Sequence, residues 1–77
     1  MMLEITSPEK TVYSGEVESV TVPGSVGSFT ILNRHAPIIS TLKQGTLTYS
    51  INGLKTKVKV NGGFVEAKNN NVSICIE

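Results

Sequence analysis

Apolar and polar residues alternate with a period of two along most of this chain. The clearest run is Leu54-Lys55-Thr56-Lys57-Val58-Lys59-Val60, where apolar or β-branched residues stand at 54, 56, 58 and 60 with lysines between them. Successive side chains of a strand point to opposite faces, so the lysines are predicted on a solvated face and the others on a core. Residues 46–51 alternate in the same way, with Leu47, Tyr49 and Ile51 on one side. Asn52-Gly53 separates the two runs. Both residue types accept the positive φ that a two-residue hairpin turn demands, which predicts a β-hairpin over residues 45–60.

Further strands follow from the same pattern. Val72, Ile74 and Ile76 are predicted inward, with Cys75 on the opposite face. Asn69-Asn70-Asn71 is predicted as the turn that joins this strand to residues 64–68. Residues 17–22 form a strand that Pro23-Gly24 should end, and residues 29–32 a short one. Residues 3–6 are predicted as an edge strand stopped by Ser7-Pro8, and Tyr13-Ser14-Gly15 as a bend. No window carries a helical apolar stripe, and Pro37 limits residues 35–43 to a single helical turn. Turn signals recur about every 8–12 residues, which predicts an all-β sandwich or barrel.

Length and composition narrow this further. The chain has 77 residues, enough for one small domain spanning 1–77. A domain of this size buries only about 60% of the surface its unfolded chain exposes. Cys75 is the single cysteine, so no disulfide can form within the chain, and a reducing compartment suits it. Stability must come from the apolar core, in part against a partner, and an uncovered apolar patch on one sheet is expected to mark that partner. The net charge of +1 offers no general attraction for nucleic acid or an anionic membrane. No apolar run approaches the length of a membrane-spanning helix. Met1 to Ile5 carries Glu4 without a basic stretch, which does not read as a secretory signal.

Candidate chemistry is sparse. The chain has no aspartate, and its six glutamates are scattered, so no carboxylate pair for acid–base work is indicated. His35 and Cys75 could in principle form a nucleophile–base pair, but a third orienting group is missing and a cysteine in a final strand packs as a small hydrophobe. A metal site fails on ligand count, and no cofactor is expected. Gly24-Ser25-Val26-Gly27-Ser28 lacks the lysine and following helix of a phosphate loop and reads as an inter-strand loop. Gly62-Gly63 reads as a backbone bend or a close approach by another chain. Lys55, Lys57 and Lys59 form a basic stripe without the interleaved aromatics of a single-strand nucleic-acid platform, and lysines there also deter edge pairing. In Asn33-Arg34-His35-Ala36-Pro37-Ile38-Ile39, a polar triad runs into a proline and two isoleucines. It is either a loop tucking both isoleucines into the core or a rigid display of Arg34 and His35.

Taken in order, several segments together resemble one family. They are Leu3-Glu4-Ile5-Thr6-Ser7-Pro8-Glu9-Lys10, Val12-Tyr13-Ser14-Gly15-Glu16-Val17, Val22-Pro23-Gly24, Ile31-Leu32-Asn33-Arg34-His35-Ala36-Pro37, Leu42-Lys43-Gln44-Gly45, Gly62-Gly63-Phe64-Val65-Glu66 and Asn71-Val72-Ser73-Ile74. Order and spacing are similar to those of the epsilon subunit of F-type ATP synthases over essentially the whole chain. The resemblance implies a flattened β-sandwich of two antiparallel sheets at the foot of a central stalk. It implies a non-catalytic rotor subunit, peripheral on the cytoplasmic face of the bacterial inner membrane, bound to the gamma subunit and the c-ring. On these matches Ser28, Arg34 and His35 are carried over to the c-ring side, and Ser7 and Ser40 to the gamma side. Many relatives have Gly-Glu where this chain has Gly27-Ser28, and a glycine where it has Thr30, so a contact that relies on a carboxylate would be weaker here. Relatives continue into a helical hairpin that inhibits ATP hydrolysis and in some cases binds ATP. The resemblance stops short of that segment at Glu77, so these residues are expected neither to inhibit by that route nor to bind nucleotide. The alternative is a biotinyl- or lipoyl-type carrier domain, which would need a modifiable lysine at a hairpin tip.

Overall fold

Asn52 and Gly53 adopt φ of 50° and 79°, and the chain reverses there within two residues. Both sit in the left-handed region that a two-residue hairpin with the right twist requires. The structure, a computed structural model, describes all 77 residues and contains nine strands and no helix. They are β1 (Met2–Thr6), β2 (Thr11–Glu16), β3 (Ser19–Gly24), β4 (Gly27–Leu32), β5 (Ile38–Leu42), β6 (Gly45–Ile51), β7 (Leu54–Val60), β8 (Gly63–Lys68) and β9 (Asn71–Ile76). The predicted hairpin is β6–β7, in register from Gly45↔Val60 to Ile51↔Leu54.

The strands form two halves that face each other. One half runs β2-β1-β9-β8-β5; the other runs β4-β3-β6-β7. They meet at a single ladder pair, Gly24↔Leu42, so one hydrogen-bonded sheet turns a corner there and folds its two halves face to face, with open edges at β2, β4 and β7. The all-β sandwich is therefore present, with two refinements. The halves are joined, and one pair, β1–β9, is parallel while the others are antiparallel. Between them lies a core in which Leu3, Ile5, Val20, Val22, Leu47, Val65 and Ile74 have no exposed surface. Tyr13 of one half stacks on Tyr49 of the other, with ring centroids 4.4 Å apart and planes inclined by 29°.

Several local expectations are corrected. β1 is not an edge: it is bonded to β2 on one side and β9 on the other, with Leu3 and Ile5 fully buried against the core. The edge is β2, which takes in Tyr13-Ser14-Gly15 as strand, and the bend falls earlier, at residues 8–10. Pro23 does not stop β3. Pairing of β3 with β6 ends at Thr21, so Pro23 withholds no amide that β6 needs, and its carbonyl accepts the Lys43 N–H at 2.9 Å. Residues 38–42 are strand, without the helical turn that 35–43 left room for. The β8–β9 turn is Asn69-Asn70 alone, both at positive φ, and Asn71 already pairs with Lys68.

The Gly62-Gly63 bend has a steric cause. Gly63 has φ of 139°, and a Cβ there would collide with the carbonyl oxygen of Cys75 on the neighbouring strand. Only glycine lets β8 start this close to the end of β9.

Candidate partner interface

The register assigns each carried-over residue a position. Strand ends collect at two poles. One holds the β1–β2, β3–β4, β5–β6 and β7–β8 turns; the other holds Asn33, Arg34, Asn52-Gly53 and Asn69-Asn70. Ser28 is exposed on β4 near the first pole, opposite Pro23. Arg34 and His35 follow the end of β4 at the second. Ser28 and Leu32 are four positions apart, about 13 Å of strand. These three residues therefore do not cluster; they lie along β4, an edge strand, and the loop that leaves it.

The loop itself is pinned. Arg34 sits at φ of 61°, and its backbone N–H donates to Asn70 Oδ1 at 2.8 Å. Asn70 in turn accepts the Met2 N–H through its own carbonyl at 3.1 Å. Nδ1 of His35 lies 3.0 Å from the Ala36 carbonyl oxygen. A carbonyl only accepts, so Nδ1 is the donor of this pair. Nε2 is buried and has no partner. The reading that tucks both isoleucines into the core holds for one of them: Ile38 packs against the core, while Ile39 is 78% exposed.

Ser7 and Ser40 are apart from each other. Ser7 closes the β1–β2 turn, its N–H and hydroxyl both donating to the Lys10 carbonyl at 2.9 and 3.2 Å. Ser40 is half-buried in β5 opposite Val65, and its hydroxyl donates to the Thr41 carbonyl at 3.0 Å. His35 and Cys75 are also apart: Cys75 sits on β9, paired with Thr6 and Phe64, at the opposite pole from the His35 loop. No group of three His, Cys or Glu side chains converges as a metal site would require.

The expected apolar patch has a location. On the outer face of the β5–β8–β9 region, Phe64 is 50% exposed and Ile39 is 78% exposed. Phe64 pairs with Thr41 on one side and Cys75 on the other, and Ile39 pairs with Glu66, so Ile39, Phe64 and Cys75 share one face. Ile39 is the diagonal neighbour of Phe64, within reach of an aromatic ring. A shallow groove bounded by Pro37, Ile38, Ile39, Glu66, Ala67 and Lys68 continues this strip toward the His35 loop. Period-two counting marks Phe64 and Ile39 as outward-facing, but it cannot tell that no neighbour covers them.

The family model of the ATP synthase delta/epsilon chain β-sandwich domain matches residues 1–77. The chain belongs to this family. Among curated relatives, the ATP synthase epsilon chain of Leptospira borgpetersenii is 47% identical over 94% of this chain and 57% of its own length. That of Leptospira interrogans is 51% identical over 96% of this chain and 58% of its own length. The chain thus spans a little over half the length of the curated relatives it matches. Two solved structures share the fold. One, from the central stalk and c-ring of the Tetrahymena thermophila mitochondrial ATP synthase, has a TM-score of 0.83 at 17% identity, over 97% of this chain and 61% of its own. The other, from the Euglena gracilis mitochondrial enzyme, has a TM-score of 0.90 at 22% identity, over 96% of this chain and 48% of its own. The carrier alternative finds no support. The tip of this epsilon-type hairpin is Asn52-Gly53, and Lys55 lies in the strand beyond it, paired with Ser50.

Proposed function

We propose that this domain is part of the rotating central stalk of a proton-translocating F-type ATP synthase, where it binds other subunits and performs no chemistry of its own. The observation that carries this reading is the match of all 77 residues to the delta/epsilon β-sandwich family. The geometry supports a docking role. An exposed aromatic beside an exposed isoleucine, continued by an apolar groove, has the composition of the dry centre of a protein–protein contact. The Ile39–Phe64 strip is then the main protein-binding face, on the peripheral assembly at the membrane's cytoplasmic side.

In the same reading, the c-ring is met along the β4 edge, by Ser28 near one end and by Arg34 and His35 at the other. The exposed Arg34, anchored at the head of this loop, supports the contact. Ser7 and Ser40 belong to the gamma side. Ser7 offers its turn there, whereas the half-buried Ser40 acts by holding β5 beneath Ile39 rather than by touching gamma directly.

The test is retention of gamma and of the c-ring by immobilised wild type, Phe64→Glu and His35→Ala, with folding checked by circular dichroism. Phe64→Glu should lose at least tenfold in retention of one partner, since hot-spot truncations of about 2 kcal/mol or more are of this size. His35→Ala should lower c-ring retention and spare gamma. A folded Phe64→Glu that retains both partners as well as wild type would overturn the docking face.

A further inference from the structure

Strand β7 ends one half of the sheet and is bonded on one side only, to β6. The two-residue turn makes Ile51 and Leu54 a hydrogen-bonded pair. Antiparallel pairs alternate, so Leu54, Thr56, Val58 and Val60 turn their main-chain groups toward β6, and Lys55, Lys57 and Lys59 turn theirs toward the open edge. The free amides and carbonyls of this edge therefore belong to the residues whose side chains are the lysines.

Those lysines form a regular array. All are exposed, and residues two apart on a strand repeat every ~6.6 Å. They face Ser50, Thr48 and Thr46 of β6, none of which carries charge. No lysine is ion-paired: the chain's one ion pair joins the Met1 ammonium to Glu16. Glu18, which reaches Ser50 on the neighbouring strand, is already bonded to Ser50 Oγ and the Gly53 amide. The charge of Lys57 and Lys59 is left unanswered within the chain.

We infer that the β7 edge is a docking site for an extended segment of another protein that carries carboxylates at alternate positions. Such a segment added as a further strand would bond to the outward main-chain groups of Lys55, Lys57 and Lys59. Residues opposite the lysines would have side chains on the same face, at the same ~6.6 Å repeat, so each carboxylate would stand beside an ammonium. The lysine row also selects against the wrong partner. A second copy offering its own β7 would bring lysine against lysine. No strand of this chain has alternating glutamates, since Glu4, Glu9, Glu16, Glu18, Glu66 and Glu77 are dispersed. The partner is therefore a different chain. A nucleic acid is the less favoured occupant, because the lysine face has no aromatic on which a base could stack. This edge is separate from the Ile39–Phe64 strip and does not depend on the role proposed for it.

The experiment titrates the 77-residue chain with a short blocked peptide that alternates glutamate and threonine, followed by amide exchange and two-dimensional NMR. Binding is expected to weaken with added salt and to slow exchange at the amides of Lys55, Lys57 and Lys59, with Thr56 and Val58 unchanged. The glutamine analogue, a peptide with backbone N-methyl groups on its pairing edge, and the Lys57→Gln/Lys59→Gln variant should each bind at least about tenfold more weakly. Absence of parent-peptide binding at millimolar concentration would overturn the inference. Binding without protection of the lysine amides, or equally tight binding by the N-methylated peptide or by oligothymidylate, would also overturn it, because the row would then be a general anion stripe.

Discussion

The Gly53 amide donates a hydrogen bond of 3.1 Å to Glu18 Oε1, across 35 residues of chain. The same oxygen accepts from the Ser50 hydroxyl at 3.3 Å, so one carboxylate ties the tip of the β6–β7 hairpin to the start of β3. Glu18→Ala should destabilise the domain by about 0.5–1 kcal/mol, the low end for a hydrogen bond at an exposed site. Glu18→Gln keeps an acceptor and should fall between alanine and wild type. Urea denaturation of the three proteins checks the order; an alanine variant as stable as wild type would refute the tie.

Gly63 and Gly53 both sit at positive φ, but their surroundings differ. A Cβ at Gly53 meets open space, whereas one at Gly63 strikes the Cys75 carbonyl oxygen. Gly53→Ala should therefore cost about 1 kcal/mol from backbone strain alone. Gly63→Ala should cost more than about 2 kcal/mol, because β8 and β9 must separate as well. Comparison of melting temperatures separates strain from collision, and equal losses would mean that β9 yields freely.

Leu47 and Leu54 belong to one hairpin and both have inward positions by alternation. Leu47 has no exposed surface, and Leu54 is 76% exposed. Leu47→Ala should cost about 2–5 kcal/mol, as for a large-to-small change in a packed core. Leu54→Ala should stay within about 0.5 kcal/mol of wild type. Chemical denaturation of both variants is the measurement, and a large loss at Leu54 would mean that the hairpin end is covered in solution.

The Tyr13–Tyr49 stack joins β2 of one half to β6 of the other. A double-mutant cycle with Tyr13→Leu and Tyr49→Leu should give a coupling energy of about 0.5–1.5 kcal/mol. Additive losses would show that the rings are merely adjacent.

The hairpin was legible because its evidence is local: Asn52-Gly53 chemistry and the flanking alternation lie within residues 45–60. Cys75 was placed on the face opposite Val72 and Ile74 by parity alone, and it lies there. The status of β1 was not legible, because Leu3 and Ile5 would look the same in an edge strand. The candidate site was readable only as residue names along a loop. That Arg34 is anchored by Asn70 depends on a turn 36 residues away, and no local pattern marks the buried, unpartnered Nε2 of His35.

Alternation, turn chemistry and a low charge were sufficient to specify an all-β chain, its best hairpin and most inward positions, because period and turn preference act over a few residues. The joining of the two halves at Gly24 and Leu42, the parallel β1–β9 pair, and the exposure of Ile39, Leu54 and Phe64 arise only in three dimensions. The physical reason is that an apolar face is buried or left open by whichever distant strand lies across it, and no local pattern carries that information.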